Sequence, residues 1–255
     1  MKVAILAGGV GSRLTEETVD KPKALVEIGG YPILWHIMMH YSHFGFTEFV
    51  IALGYKGECI GRWVQEYCGS TGTKTVKDGS AAVVFHEKEH DWTICLVETG
   101  QKTNTGGRVK RLAPWLDNQT FMLTWCDGLS DVDIGALLRF HASHGRLATL
   151  TAVLPPPRFG FLVLDEDVVV RFSEKVPVTK NWINGAFFVL ESDVFNYIDG
   201  DETSWERDSL VQLSKEGQLM AYRHGGFWQC MDTIHERHVL EKLWRSGKAP
   251  WKTDK

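Results

Sequence analysis

An α/β fold, built on a mainly parallel mixed sheet flanked by helices, is predicted by three observations on this sequence. Short β-branched, apolar runs alternate with stretches whose apolar residues recur at i, i+3, i+4 and i+7, the pattern of strands alternating with one-faced helices. The order strand (Lys2 to Leu6), helix (Ile33 to Phe44), strand (Glu48 to Leu53) demands a parallel crossover. The first strand opens into a loop carrying Gly8, Gly9 and Gly11, at the sheet edge where open α/β folds bind ligands.

The elements follow in order. Ala24 to Ile28 suits a short strand, and Gly29-Gly30 a turn before Pro32, which sits at the start of the first helix. Residues 58 to 68 read as a helix, and the polar, glycine-bearing stretch 69 to 80 as a loop. A charge-dense run, His86 to Asp91, gives way to a strand over Trp92 to Val97. Val109, Leu112, Ala113 and Leu116 mark a helix, Phe121 to Trp125 a strand, Ile134, Leu137, Leu138 and His141 a helix, and Ala148 to Val153 a strand. Beyond Pro155-Pro156-Pro157 the pattern changes. Phe161 to Leu164 and Val168 to Phe172 suit a hairpin around Asp165-Glu166-Asp167, followed by a strand at Ala186 to Leu190. Thr203 to Glu216 is expected to be helical in its second half, Leu219 to Arg223 a strand, and Thr233 to Ser246 a helix. No repeat or linker divides the chain, so one domain over residues 1–255 is expected, with a decorated C-terminal third.

Composition narrows the partners. A formal net charge of −4 argues against nucleic-acid binding through a general basic field and leaves small anionic ligands to be held locally. Five scattered cysteines, odd in number and without a C-x-x-C pair, read as reduced thiols of a cytoplasmic protein. The N-terminal apolar run is too short for a signal-peptide core, and no stretch approaches the ~20 apolar residues of a membrane span. A soluble, unprocessed protein with no membrane partner is expected.

The chemistry concentrates in a few places. Gly8, Gly9 and Gly11 let backbone N–H groups approach an anion, Ser12 adds a hydroxyl, and Arg13, Lys21 and Lys23 add charge, a set that suits a triphosphate. The spacing is not that of a Walker loop, and no third glycine completes G-x-G-x-x-G. Asp127 ends a strongly apolar strand, and Asp232 precedes the last helix; such hard oxygen ligands suit Mg²⁺ held jointly with phosphates. The plainer alternatives are a turn aspartate before Gly128 and a helix N-cap. Glu174-Lys175 reads on its own as a solvated pair and Asn184-Gly185 as a turn. His141 and His144 have ligand spacing without a third ligand nearby, which favours a helix face, and Cys126 reads as a small buried side chain rather than a nucleophile.

Taken together these residues resemble the sugar-1-phosphate nucleotidylyltransferases, and within them the cytidylyltransferase branch. The resemblance is carried by Leu6-Ala-Gly-Gly-Val-Gly-Ser-Arg13, Lys21-Pro-Lys23, Pro32-Ile-Leu-Trp-His-Ile37, Thr105-Gly-Gly-Arg108, Asp127-Gly, Glu174-Lys175, Ile183-Asn184-Gly185, Gly226-Phe-Trp-Gln229 and Met231-Asp-Thr233, and it runs from Met1 to Lys252. It implies a Rossmann-like sheet of the nucleotide-diphospho-sugar transferase type, with a nucleotide-binding core over 1–154 and a sugar-phosphate-binding part over 155–255. The implied reaction passes a cytidylyl group from CTP to α-D-glucose 1-phosphate, giving CDP-glucose and pyrophosphate, in a homo-oligomer.

By the same resemblance, Gly8, Gly9, Gly11, Ser12 and Arg13 would hold the CTP phosphates, with Leu6 among the nucleotide-binding residues, Lys23 against the α-phosphate, and Arg13 and Lys23 as the catalytic cations. Thr99, Gly106, Gly107 and Arg108 would line the nucleoside pocket, Glu174, Lys175 and Asn184 would meet the sugar phosphate, and Asp127 and Asp232 would share Mg²⁺. Cys126, Glu98, Val176, Ala186 and Cys230 depart from the family pattern, and they bear on the sugar more than on the reaction. The rival readings are another sugar 1-phosphate or nucleotide, a binding protein that has lost turnover, and a dinucleotide oxidoreductase.

Overall fold

The structure, a computed structural model, describes residues 1–9, 15–18, 20–156, 161–173 and 181–252. Among these, nine strands form one sheet: β1 (Val3–Leu6), β2 (Glu48–Leu53), β3 (Thr73–Lys77), β4 (Ser80–Glu87), β5 (Trp92–Glu98), β6 (Phe121–Trp125), β7 (Ala148–Val153), β8 (Ile183–Leu190) and β9 (Leu219–His224). Their spatial order is β9-β7-β8-β6-β1-β2-β5-β4-β3. The central four, β6-β1-β2-β5, all run parallel. Antiparallel pairings flank them on both sides, through β8 and through β4. Two of the strands that follow the triple proline, β8 and β9, thus join the same sheet as those before it.

Burial on both faces explains the apolar run of β1. Val3 and Ile5 point into one core cluster, Ala4 and Leu6 into the other, and all four are buried. Helices α1 (Ile33–His43), α2 (Gly57–Cys68), α3 (Thr105–Leu112), α4 (Ile134–His144), α5 (Leu210–Lys215) and α6 (Ile234–Arg245) complete the layers. No helix among the described residues is long and apolar enough to cross a membrane.

Several elements differ from the sequence expectation, each for a local reason. The stretch 69 to 80 is not a loop: β3 and β4 form a hairpin whose two-residue turn, Asp78-Gly79, has φ of 49° and 76°. Only Glu27–Ile28 of the strand expected from Ala24 pairs as a strand, because Lys23–Leu25 winds into a 3-10 turn after Pro22. Helix α3 starts at Thr105, four residues early, since the Asn104 side chain caps it by accepting from the Thr105 N–H. It ends at Leu112 in a 3-10 turn containing Pro114. Winding before α5 begins at Trp205, earlier than expected.

Two features of the core make measurable differences. His36 and His40 are buried on α1 and bond through Nε2 to the carbonyls of Ile28 and Val132, at 2.8 and 2.9 Å. Burial pushes both imidazoles down to about 4, against backbone bonds that pull the other way. The unfolded chain therefore binds protons that the folded chain refuses between the ordinary histidine value and about 4, so stability falls with pH across that window. The urea midpoint is expected to be lower at pH 5 than at pH 7, and His40→Gln, which can still donate to Val132, should flatten that slope. At the β7–β8 irregularity, Ala186 holds φ of 63°, a left-handed conformation that disfavours a Cβ. Ala186→Gly should relieve this strain and raise stability by up to about 1 kcal/mol after the glycine's own entropy loss, read as a higher Tm.

Candidate active site

The carboxyl ends of β6, β1 and β5 open on a cavity of about 430 Å³. Its wall includes Leu6, Gly8 and Gly9 after β1, Lys23, Asp127 after β6, and Asp232. The two aspartates meet through a small antiparallel ladder, Gly128–Ser130 against Trp228–Cys230. Just beyond the ladder the Met231 N–H donates to the Asp127 carbonyl at 2.8 Å. A capping box closes α6 directly after Asp232: Thr233 accepts from the Glu236 N–H, and the Glu236 carboxylate accepts from the N–H groups of Asp232 and Thr233. The helix cap is therefore Thr233, which leaves the Asp232 side chain for the cavity.

Lys23 joins the two carboxylates. Its Nζ donates to Asp127 Oδ2 at 2.8 Å and to Asp232 Oδ1 at 2.5 Å. Burial alone pushes this ammonium toward neutrality, but the two carboxylates outweigh it and hold its pKa above the ordinary lysine value. Cys126, beside Asp127, borders the cavity as a neutral thiol, pushed up to about 12 by burial and then by Asp127, which is no state for a nucleophile.

The other end of the cavity is the segment Gln101 to Thr105, after β5. Of the four residues expected to line a nucleoside pocket, Arg108 alone borders it. Its guanidinium lies buried beneath the sheet edge, with Nη1 donating to the Leu53 carbonyl at 3.0 Å and to Thr99 Oγ1 at 2.7 Å, and Nη2 to the Gln101 carbonyl at 3.3 Å. A Cβ at Gly8 or at Gly54 would stand 2.3 Å from Nη1, so both glycines make room for this side chain. Thr99 stands behind the wall, fully buried, and donates to the Leu53 carbonyl at 2.6 Å. Gly106 and Gly107 also lie off the cavity: a Cβ at either would fall within 2.7 Å of the backbone of Thr203 or Asp201, so they are glycines for close packing. Glu98 borders a different groove, its carboxyl raised by burial and by Glu58.

Asn184 sits on β8 away from this cavity, with its Oδ1 accepting from the Ala186 N–H at 2.9 Å. Gly11, Ser12, Arg13, Glu174 and Lys175 lie outside the described residues. His141 bonds to Thr149 Oγ1 and Glu191 and His144 to the same Thr149, which ties α4 to β7. Among the described residues, the group that could gather three metal-ligating side chains is instead Glu87, Glu89 and His90, at the end of β4. Gln101, Lys102, Trp125 and Glu202 also border the cavity and escaped the sequence reading. Gln101 and Lys102 lie in the polar tract after β5, a usable signal; Glu202 reaches the site from a distant segment.

A parallel-centred sheet with two convergent carboxylates and a lysine at its carboxyl edge defines a phosphate-handling α/β enzyme class. Comparison agrees: the chain matches the Nucleotidyl transferase family over residues 2–229 and belongs to it. It is 48% identical to the glucose-1-phosphate cytidylyltransferases of Salmonella typhi and Salmonella typhimurium, over 99% of this chain and 99% of each of theirs. Among solved structures, HddC from Yersinia pseudotuberculosis complexed with GMP-PN shares the fold, with a TM-score of 0.70 at 21% identity over 95% of this chain and 99% of that one.

Replacing Lys23 by Met leaves two carboxylates facing each other without their cation. A loss of about 1–3 kcal/mol is expected, below that of a fully buried pair, because the Asp127 side chain keeps 29% exposure. Since the Lys23 pKa is raised, its contribution is present below the ordinary lysine value and is lost only as pH rises through the folded value. The difference in urea stability between wild type and Lys23→Met should therefore stay constant from pH 7 to 9.

Proposed function

We propose that this protein transfers a cytidylyl group from CTP to α-D-glucose 1-phosphate, giving CDP-glucose and pyrophosphate. The observation that carries the reading is Lys23 bridging Asp127 and Asp232, in a chain similar from end to end to glucose-1-phosphate cytidylyltransferases. An oxygen of the sugar phosphate attacks the α-phosphorus of CTP in line; the new P–O bond forms as the bond to the β-phosphate breaks, and pyrophosphate leaves. A phosphate oxygen is already ionised near neutral pH, so no general base is required. The protein's work is to hold two anions in line and to neutralise charge that moves onto the leaving group. Lys23 is assigned to the α-phosphate, and Arg13, with Gly11 and Ser12, to the remaining phosphates. Glu174, Lys175 and Asn184 are assigned to the sugar phosphate.

Two carboxylates that converge on one cationic nitrogen form a hard-oxygen donor set that fits Mg²⁺. Asp127 and Asp232 would hold the ion, which when bound supplies charge neutralisation to the triphosphate and pyrophosphate oxygens. Assembly as a homo-oligomer is part of the same reading. The hairpin Phe161–Asp165 with Val168–Ser173 forms a separate two-stranded sheet that exposes Leu164, Val168, Val170 and Phe172 by 56–64%, more apolar surface than a lone hairpin keeps in water. Five free cysteines support a reducing, cytoplasmic setting.

Pyrophosphate release with Mg²⁺, across five nucleoside triphosphates against several sugar 1-phosphates, tests the reading. The expected maximum is CTP with glucose 1-phosphate, and a maximum elsewhere moves the substrate while keeping the chemistry. Lys23→Met should lower turnover more than tenfold and Asp127→Asn should abolish the Mg²⁺-dependent signal; near-normal rates in both would refute their roles.

A further inference from the structure

The site has a third carboxylate that the transfer chemistry does not use. Glu202 borders the same cavity as Lys23, Asp127 and Asp232. Unlike the two aspartates, its carboxylate makes no hydrogen bond or ion pair among the described residues, while its backbone carbonyl accepts from Asn104 Nδ2 at 3.2 Å.

Strand order locates it. Asp127 follows β6 and the Gln101–Thr105 wall follows β5, and β1 and β2 lie between them. Three strand spacings separate the two ends, about 14 Å at ~4.8 Å each, which leaves the lysine end for phosphates and the β5 end for the base. Glu202 is fastened to the β5 end. On either side of it, the Asp201 carbonyl accepts from the Asn104 N–H at 2.8 Å and the Thr203 carbonyl from the Gly106 N–H at 2.9 Å. Asp201 also takes a two-point bond from Arg111, at 2.9 and 2.6 Å, and Thr105 Oγ1 donates to Glu206 at 2.6 Å. The tight contact of Gly106 and Gly107 with Thr203 and Asp201 seats this segment directly on the base wall.

We propose that Glu202 is a specificity-determining residue, whose carboxylate accepts a hydrogen bond from the exocyclic amine of cytosine and disfavours uracil. The proposal rests on the functional reading above. A carboxylate is an acceptor only. Cytosine offers a donor at position 4, whereas a carbonyl at that position, as in uracil, offers an acceptor and sets two lone pairs against each other. The two bases have nearly the same shape, so an apolar wall could not separate them, and a charged acceptor can.

The test compares kcat/KM for CTP and for UTP, with glucose 1-phosphate, in wild type, Glu202→Ala and Glu202→Gln, together with CTP affinity by equilibrium dialysis and Tm. Glu202→Ala should lower the CTP:UTP ratio at least about tenfold, the range of one hydrogen bond to a charged group, through KM and CTP affinity, with kcat for CTP and Tm nearly unchanged. Glu202→Gln, whose amide can donate to a carbonyl, should raise UTP use above that of wild type. A ratio unchanged within about twofold in both variants, in a wild type that prefers CTP, overturns the proposal alone. A wild type that uses CTP and UTP alike, or neither, overturns the functional reading and this inference with it.

Discussion

The ion pairs of Lys23 with Asp127 and Asp232 are the constraint on which the rest of the site depends. Two carboxylates at one point in a half-buried cavity repel each other unless a cation lies between them, and Lys23 supplies it from a residue 104 positions before one and 209 before the other. Each partner needs its own piece of the fold. The turn after Pro22 carries Lys23, the end of β6 carries Asp127, and the small ladder of Gly128–Ser130 with Trp228–Cys230 swings Asp232 into place. The capping box at Thr233 and Glu236 then fixes the backbone of Asp232.

Arg108 plays the matching part at the other end. A buried guanidinium is tolerable because two carbonyls and a hydroxyl accept from it, and because Gly8 and Gly54 leave it space. It ties the end of β2 to the segment after β5. The segment around Asp201 to Glu206 clamps that wall from outside. The lysine end of the cavity and its β5 end thus rest on separate supports, joined across the central parallel strands.

Much of the fold was legible from local pattern. The central strands, α1, α2, α4 and α6 follow from apolar periodicity, and where the reading failed the error was local. The Asp78-Gly79 hairpin was hidden because β3 is exposed along its whole length and carries no apolar alternation, although its turn dipeptide was a signal. The early start of α3 was hidden because its first turn, Thr105-Gly-Gly, is poor in helix formers and is held by its cap and by Thr203. Of the candidate site, Lys23, Asp127, Asp232, Leu6, Gly8, Gly9 and Arg108 do reach one cavity, whereas Thr99, Gly106 and Gly107 stand behind its wall.

The sequence by itself determined the α/β class, the glycine loop at the end of the first strand, and the residue types for a phosphate site, because each is written in contiguous stretches with their own periodicity or spacing. Tertiary structure alone decided which carboxylates share a cation, which glycines border the cavity and which pack against a neighbouring segment, and that Glu202 reaches the cavity at all. Those are contacts between segments tens to hundreds of residues apart. Their geometry is set by strand order and by packing across the sheet edge, neither of which any single stretch of the chain encodes.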